Sequence, residues 1–183
     1  MKWRHLVFLN GAALAALAVA TAPAAAGSGT EQFDEAMKPI LASYLAIHER
    51  LAADSTQGVG AAAESIKDAA SKLDAAAVTG EHAAQYKDLP AGLQREAEAV
   101  GKAPDLDAAR EAFKRLSELM ARWAKVSRPE GVNVMACSMA KASWLQKVGE
   151  ARNPYYGKSM LDCGEVVDDF SHSTKHEHGS TSE

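Results

Sequence analysis

The feature that most constrains this chain is the spacing of its apolar residues. From 106 to 123, Leu106, Ala109, Phe113, Leu116, Met120 and Trp123 step by three, four, three, four and three. That spacing lines side chains up on one face of an α-helix. Pro104-Asp105 opens the helix, and Asp105 is placed to cap it. A second stripe runs from about Glu31 through Phe33, Met37, Ile40, Leu41, Tyr44, Leu45, His48 and Leu51. Pro39 within it kinks the first turns or sets the true start, and Asp54, Ser55 and Gly58 end it. Val59, Ala62, Ala63, Ile66, Ala70 and Leu73 form an Ala-rich stripe that can approach its neighbours closely while burying little area per residue. The region Gly80 to Val100 places Tyr86, Leu89, Leu93 and Val100 on one face and is broken by Pro90. Four helices joined by short loops predict an all-α fold, an up-down four-helix bundle over residues 27–130.

After Ser127-Arg-Pro-Glu-Gly131 the period is lost. Trp144, Asn153-Pro154, Tyr155 and Tyr156 combine turn chemistry with aromatic anchors. Residues 131–170 therefore read as a small irregular C-terminal lobe of the same domain. The polar residues 171–183, with His172, His176 and His178, read as a disordered tail. Residues 1–26 read as a signal peptide. Lys2 and Arg4 precede an apolar run from Leu6 to Ala20, and Ala24-Ala25-Ala26 offers a cleavage site before Gly27. The run is too short and Ala-rich for a spanning helix, and no second long apolar run follows. The expectation is an exported, periplasmic protein with no membrane span after cleavage.

The chain carries 20 Lys and Arg against 24 Asp and Glu, and loss of Lys2 and Arg4 makes it more acidic. Nucleic acid is excluded as a partner, because phosphate binding needs clustered basic residues. There is no Cys-x-x-Cys, Cys-x-x-Cys-His, Gly-x-Ser-x-Gly, Gly-rich phosphate loop or His-Glu-x-x-His. No catalytic constellation emerges, and no enzymatic activity is expected.

Both Cys and three of the six Met gather near the C-terminal end, as Met135, Cys137, Met139, Met160 and Cys163. Sulfur ligands select soft ions such as Cu(I). The run from Val132 to Met139 alternates partly as a strand would, which puts Met135, Cys137 and Met139 on one face in extended geometry. Met160 and Cys163, three apart, meet on one helical turn or tight bend. Two segments could thus present sulfur to a single point. The other reading is a Cys137–Cys163 disulfide, the usual fate of two Cys in an exported protein. It would close a loop of about 25 residues and contribute roughly 3 kcal/mol, with the Met as packing. Both readings stay open. His48 reads as a hydrogen-bonded core or boundary residue and His82 as exposed. The tail histidines suit weak metal capture or plain solvation. Arg110 either pairs with an acidic neighbour to fix the lobe or is a surface charge.

Cys137-Ser-Met-Ala, Trp144-Leu-Gln and Asn153-Pro-Tyr-Tyr-Gly-Lys-Ser-Met-Leu-Asp-Cys-Gly-Glu165 resemble an uncharacterised periplasmic family, domain of unknown function three-three-four-seven. Its pattern is roughly Cys-Pro-Met-Ala, Trp-Leu and Asn-Pro-Tyr-(Tyr/Phe)-Gly-x-x-Met-Leu-x-Cys-Gly. Asp105, Arg110, Phe113, Leu116 and Ser117 extend the likeness into the helices, so that it covers the mature chain to about Val167. Such domains occur alone or fused to adaptor subunits of copper- and silver-class heavy-metal efflux systems, which implies metal handling in the periplasm. Cys137, Met139, Met160 and Cys163 match the shared sulfur positions, and Met135 lies outside the pattern. Ser138 stands where Pro is usual, and Ala136 where His or Tyr is frequent. The resulting expectation is a periplasmic Cu(I)-binding accessory protein linked to efflux or resistance. Cys137 and Cys163 are its thiolate ligands, Met139 and Met160 its thioethers, and Met135 a spare. The alternative is an interaction module with a Cys137–Cys163 bridge, whose lobe turns aromatic surface toward an efflux adaptor or other envelope partner.

Overall fold

A computed structural model describes residues 29–169. The signal expected over 1–26 and the His-containing tail over 171–183 lie outside them. Four long helices follow the predicted stripes: α1 (Gly29–Ala52), α2 (Val59–Ala70), α4 (Leu89–Gly101) and α5 (Leu106–Ser127). A single-turn helix, α3 (Ala83–Tyr86), precedes α4. Pro39 lies inside α1 without ending it, and Pro90 sits in the first turn of α4, where its missing N–H has no helical partner to lose. The Asp105 carboxylate caps α5 by accepting the Ala108 N–H at 2.8 Å, as its position predicts.

The helices pack in chain order, α1 on α2, α2 on α4 and α4 on α5. Small residues set the closest approaches. Gly92 faces the Leu119 side chain, and Gly101 lies against Ala63. Phe33, Met37, Ile40, Ile47 and Leu51 of α1 meet Ile66, Leu93, Phe113 and Leu116 in the core. Asp34 ties three helices together, accepting from Trp123 Nε1 at 2.7 Å and from the Tyr86 hydroxyl at 3.3 Å. No helix of the described residues is long and apolar enough to cross a membrane.

The chain is not all-α, however. The segment expected to be an irregular lobe contains a three-stranded antiparallel sheet, ordered β2-β1-β3. The strands are β1 (Val132–Cys137), β2 (Ala142–Lys147) and β3 (Glu165–Asp169). Val134 pairs with Leu145, and Met135 with both Trp144 and Val166. β1 is central and buried at nearly every position, so it lacks the alternation of a half-exposed strand. β2 packs on α5 and α1. Its Leu145 N–H donates to the Tyr44 hydroxyl at 3.1 Å, and that hydroxyl shares a 2.7 Å hydrogen bond with Ser117. One tyrosine of α1 thus joins α5 and the sheet, with its ring stacked on Phe113 at 4.8 Å.

Candidate metal centre

The other face of the sheet carries Met135, Cys137 and Trp144, and the segment 148–164 folds back over it. Three groups of hydrogen bonds are prominent among those that hold that segment. Arg110, largely buried on α5, donates to Pro154 O at 2.9 Å, to Leu51 O at 3.1 Å and to the Asp54 carboxylate. The other Asp54 oxygen accepts the Lys158 N–H at 3.2 Å. Arg110 therefore pairs with an acidic residue and fixes the lobe. Second, the Asn153 side chain is fully buried. Its Oδ1 accepts the N–H groups of Tyr155 and Tyr156, and its Nδ2 donates to Cys163 O at 2.7 Å. Third, the Tyr155 hydroxyl donates to Ser143 O at 2.6 Å, and the Tyr156 hydroxyl to Met139 O at 3.1 Å.

Trp144 is completely buried and meets Tyr155 edge-on, with centroids 5.7 Å apart. Its indole N–H donates to Gln146 Oε1 at 3.0 Å, which also accepts the Arg152 N–H. A Cβ at Gly164 would lie 2.5 Å from the indole. Glycine is what lets the chain beside Cys163 close over this ring. Trp144 and Tyr155 therefore form the interior of the lobe, while Tyr156 is only partly covered. The apolar side chains the lobe exposes are Met139, Val148, Val166 and Val167.

Two sulfurs meet beneath this cover. Cys137 ends β1 at only 3% exposure, and Cys163 follows a tight turn closed by its own N–H to Met160 O at 3.2 Å. Both are free thiols, hydrogen-bonded to each other. Burial pushes the Cys137 thiol up. Hydrogen bonds from Cys163, from the N–H groups of Ala140 and Met139, and from Asn153 outweigh it and hold Cys137 below the ordinary value. Cys163 is raised, first by its bond to the Cys137 sulfur, then by burial and by the charges of Cys137 and Asp162. The two sulfurs are therefore inequivalent, with Cys137 the more readily ionised of the pair.

The methionines are placed less uniformly. Met160 is partly buried in the turn that delivers Cys163. Met135 is buried on β1, opposite Trp144 and two residues before Cys137. Met139 is 65% exposed. The strand stops at Cys137 and a four-residue turn follows, with Lys141 in left-handed conformation. The period-two alternation expected to carry Met139 onto the face of Cys137 therefore ends too early.

His48 is buried and donates from Nε2 to Arg152 O at 2.8 Å, while Nδ1 has no protein partner. His82 bonds Gln85 at the surface. Among the described residues, no group of three or more His, Cys, Asp or Glu side chains surrounds a common point, so any metal here would rest on two thiols plus thioethers. Asn153 is the residue that sequence reasoning passed over. Asn-Pro signalled a turn, but not that the amide would be buried against the cysteines.

Fold and site together define a small helical-bundle protein with an appended sheet that holds a dithiol. Residues 40–131 match the family described as "Protein of unknown function (DUF3347)", and the chain belongs to that family. The matched span covers most of the helical bundle and stops before β1, so the five sulfur residues lie beyond it. The chain matches no curated protein and no solved structure.

Proposed function

We propose that this chain is a metal-binding accessory protein of the periplasm, specific for Cu(I) and serving heavy-metal efflux or resistance without catalysing a reaction. Cys137 and Cys163 hold the ion as thiolates. Met160, in the turn that delivers Cys163, and Met139, in the turn after Cys137, are its thioethers, and Met135 is a spare from the strand. The observation that supports this most is the meeting of two unbridged thiols, with Cys137 already held toward its thiolate by N–H donors. Soft, low-coordinate Cu(I) suits such a pair, and binding would release the thiol protons. An efflux adaptor is the partner class this reading implies.

Titration of the reduced protein with Cu(I) against a chromophoric chelator tests the reading. One equivalent should bind per chain and protect both thiols from a disulfide reagent. Equal affinity in Cys137→Ser or Cys163→Ser would reject it. The second reading, a structural Cys137–Cys163 bridge in an interaction module, draws on the same closeness of the sulfurs. Protein purified without reductant would then show no titratable thiol and no response to Cu(I).

A further inference from the structure

The two outer strands of the sheet are treated differently. β2 is closed. The Leu145 N–H meets the Tyr44 hydroxyl, and Ser143 O accepts from the Tyr155 hydroxyl. Residues 143 and 145 share a side of the strand, so both contacts satisfy groups that point away from β1. β3 has no such cover among the described residues, and the sheet order ends on it. Outward N–H and C=O groups of an edge strand are a template for a further strand. Val166 and Val167 are 47% and 49% exposed, an unusual pair of large β-branched side chains for a free edge. Around them lie Asp162, Glu165 and Asp168, with no Lys or Arg between 162 and 169.

The charges decide what can dock. A symmetric antiparallel pairing of two copies that brings the valines together sets Glu165 of one against Asp168 of the other. Parallel pairing sets each acid beside its own copy. Like charges directly opposite are destabilising, so a second copy is the wrong occupant. An extended segment with a β-branched centre and flanking Lys or Arg satisfies the edge, the valines and the acids at once. We infer that β3 is a docking edge for a basic, extended segment of a protein partner, which adds to the sheet as a fourth strand. The inference is independent of what the thiols bind.

Fluorescence anisotropy of a labelled Lys-Val-Thr-Val-Lys peptide with the full chain tests it. Binding should saturate, weaken about tenfold between low and high salt as screening sets in, and protect the amides of residues 165–169 from exchange. The double change Glu165→Lys, Asp168→Lys, and separately Val167→Lys, should abolish it with an unchanged circular dichroism spectrum. The inference is overturned by no saturable binding, by equal binding of Glu-Val-Thr-Val-Glu, or by binding that survives both variants. Dimerisation through β3 in sedimentation would make a second copy the occupant. Much tighter peptide binding after deletion of residues 170–183 would make it the chain's own tail. Either result also overturns the proposal.

Discussion

The Asp54 carboxylate occupies the space that a side chain at residue 157 would need. Gly157 has φ +55°, and a Cβ built on it would collide with Asp54 Oδ1 and with the Arg110 guanidinium. The ion pair that anchors the lobe is therefore seated on a glycine. Gly157→Ala should cost about 1–2 kcal/mol from the left-handed backbone alone, with the collision added. Thermal unfolding should show a lowered Tm. Gly157→Ala should cost less when made in an Asp54→Ala background, where the nearer of the two colliding groups is already gone.

Arg110→Met keeps the volume of the side-chain stem but leaves Pro154 O, Leu51 O and Asp54 without their donor. A loss of about 2–4 kcal/mol is expected in urea denaturation, from unsatisfied buried acceptors and a broken, partly buried ion pair. The thiol pair should become more reactive toward alkylating reagents, since this residue holds the covering segment in place.

The hydrogen bond from Arg110, then the N–H of Lys158, hold Asp54 below its ordinary carboxyl value of 3.8. A depressed carboxyl contributes stability that is fully present above its unfolded value and is lost as pH falls through its folded value. The stability difference between the wild type and Asp54→Asn should therefore stay constant from neutral pH down toward 3.8 and close below it. Chemical denaturation at a series of pH values reads this directly.

The two thiols should titrate apart. Thiolate absorbance should rise in one step below and one above the ordinary value of 9.0. Cys163→Ser should raise the Cys137 step, because a serine hydroxyl placed for a thiol is a poorer match to the sulfur. Cys137→Ser should lower the Cys163 step. A single step near 9.0 in the wild type would mean the sulfurs do not interact.

Asn153→Ala removes two acceptor contacts and one donor contact from a fully buried site. A loss of about 2–4 kcal/mol is expected. Amide exchange should accelerate between 153 and 163 while the helical core stays protected. A uniform change across the whole chain would show that the segment is not a separable unit.

The helices were legible in the sequence because each has one buried face. The steps of three and four through Leu106 and Trp123 record that burial directly. Of the sheet, only a partly strand-like run from Val132 to Met139 was legible, because β1 is covered on both sides, with Val132, Asn133, Val134 and Met135 all inside, and nothing in that run announces its partners β2 and β3. Its hairpin turn, Ser138 to Lys141, contains neither Asn-Gly nor any Gly, the usual signals. The pairing with β3 shifts register between Val134 and Met135, which further blurs any pattern. The cysteines were legible as a pair, since only two are present. Met139 was misplaced because nothing in the local sequence says that the strand stops at Cys137. Ile47, fully buried on α1, was passed over in favour of Leu41 and Leu45, which are only partly covered.

The Tyr44 and Tyr155 hydroxyls that close β2 also bear on solubility. A ribbon of molecules can lengthen without limit only if each sheet is open at both margins. Here one margin is sealed from within by the protein's own core, so any accidental strand exchange at the other would join two molecules and then stop, short of a fibre.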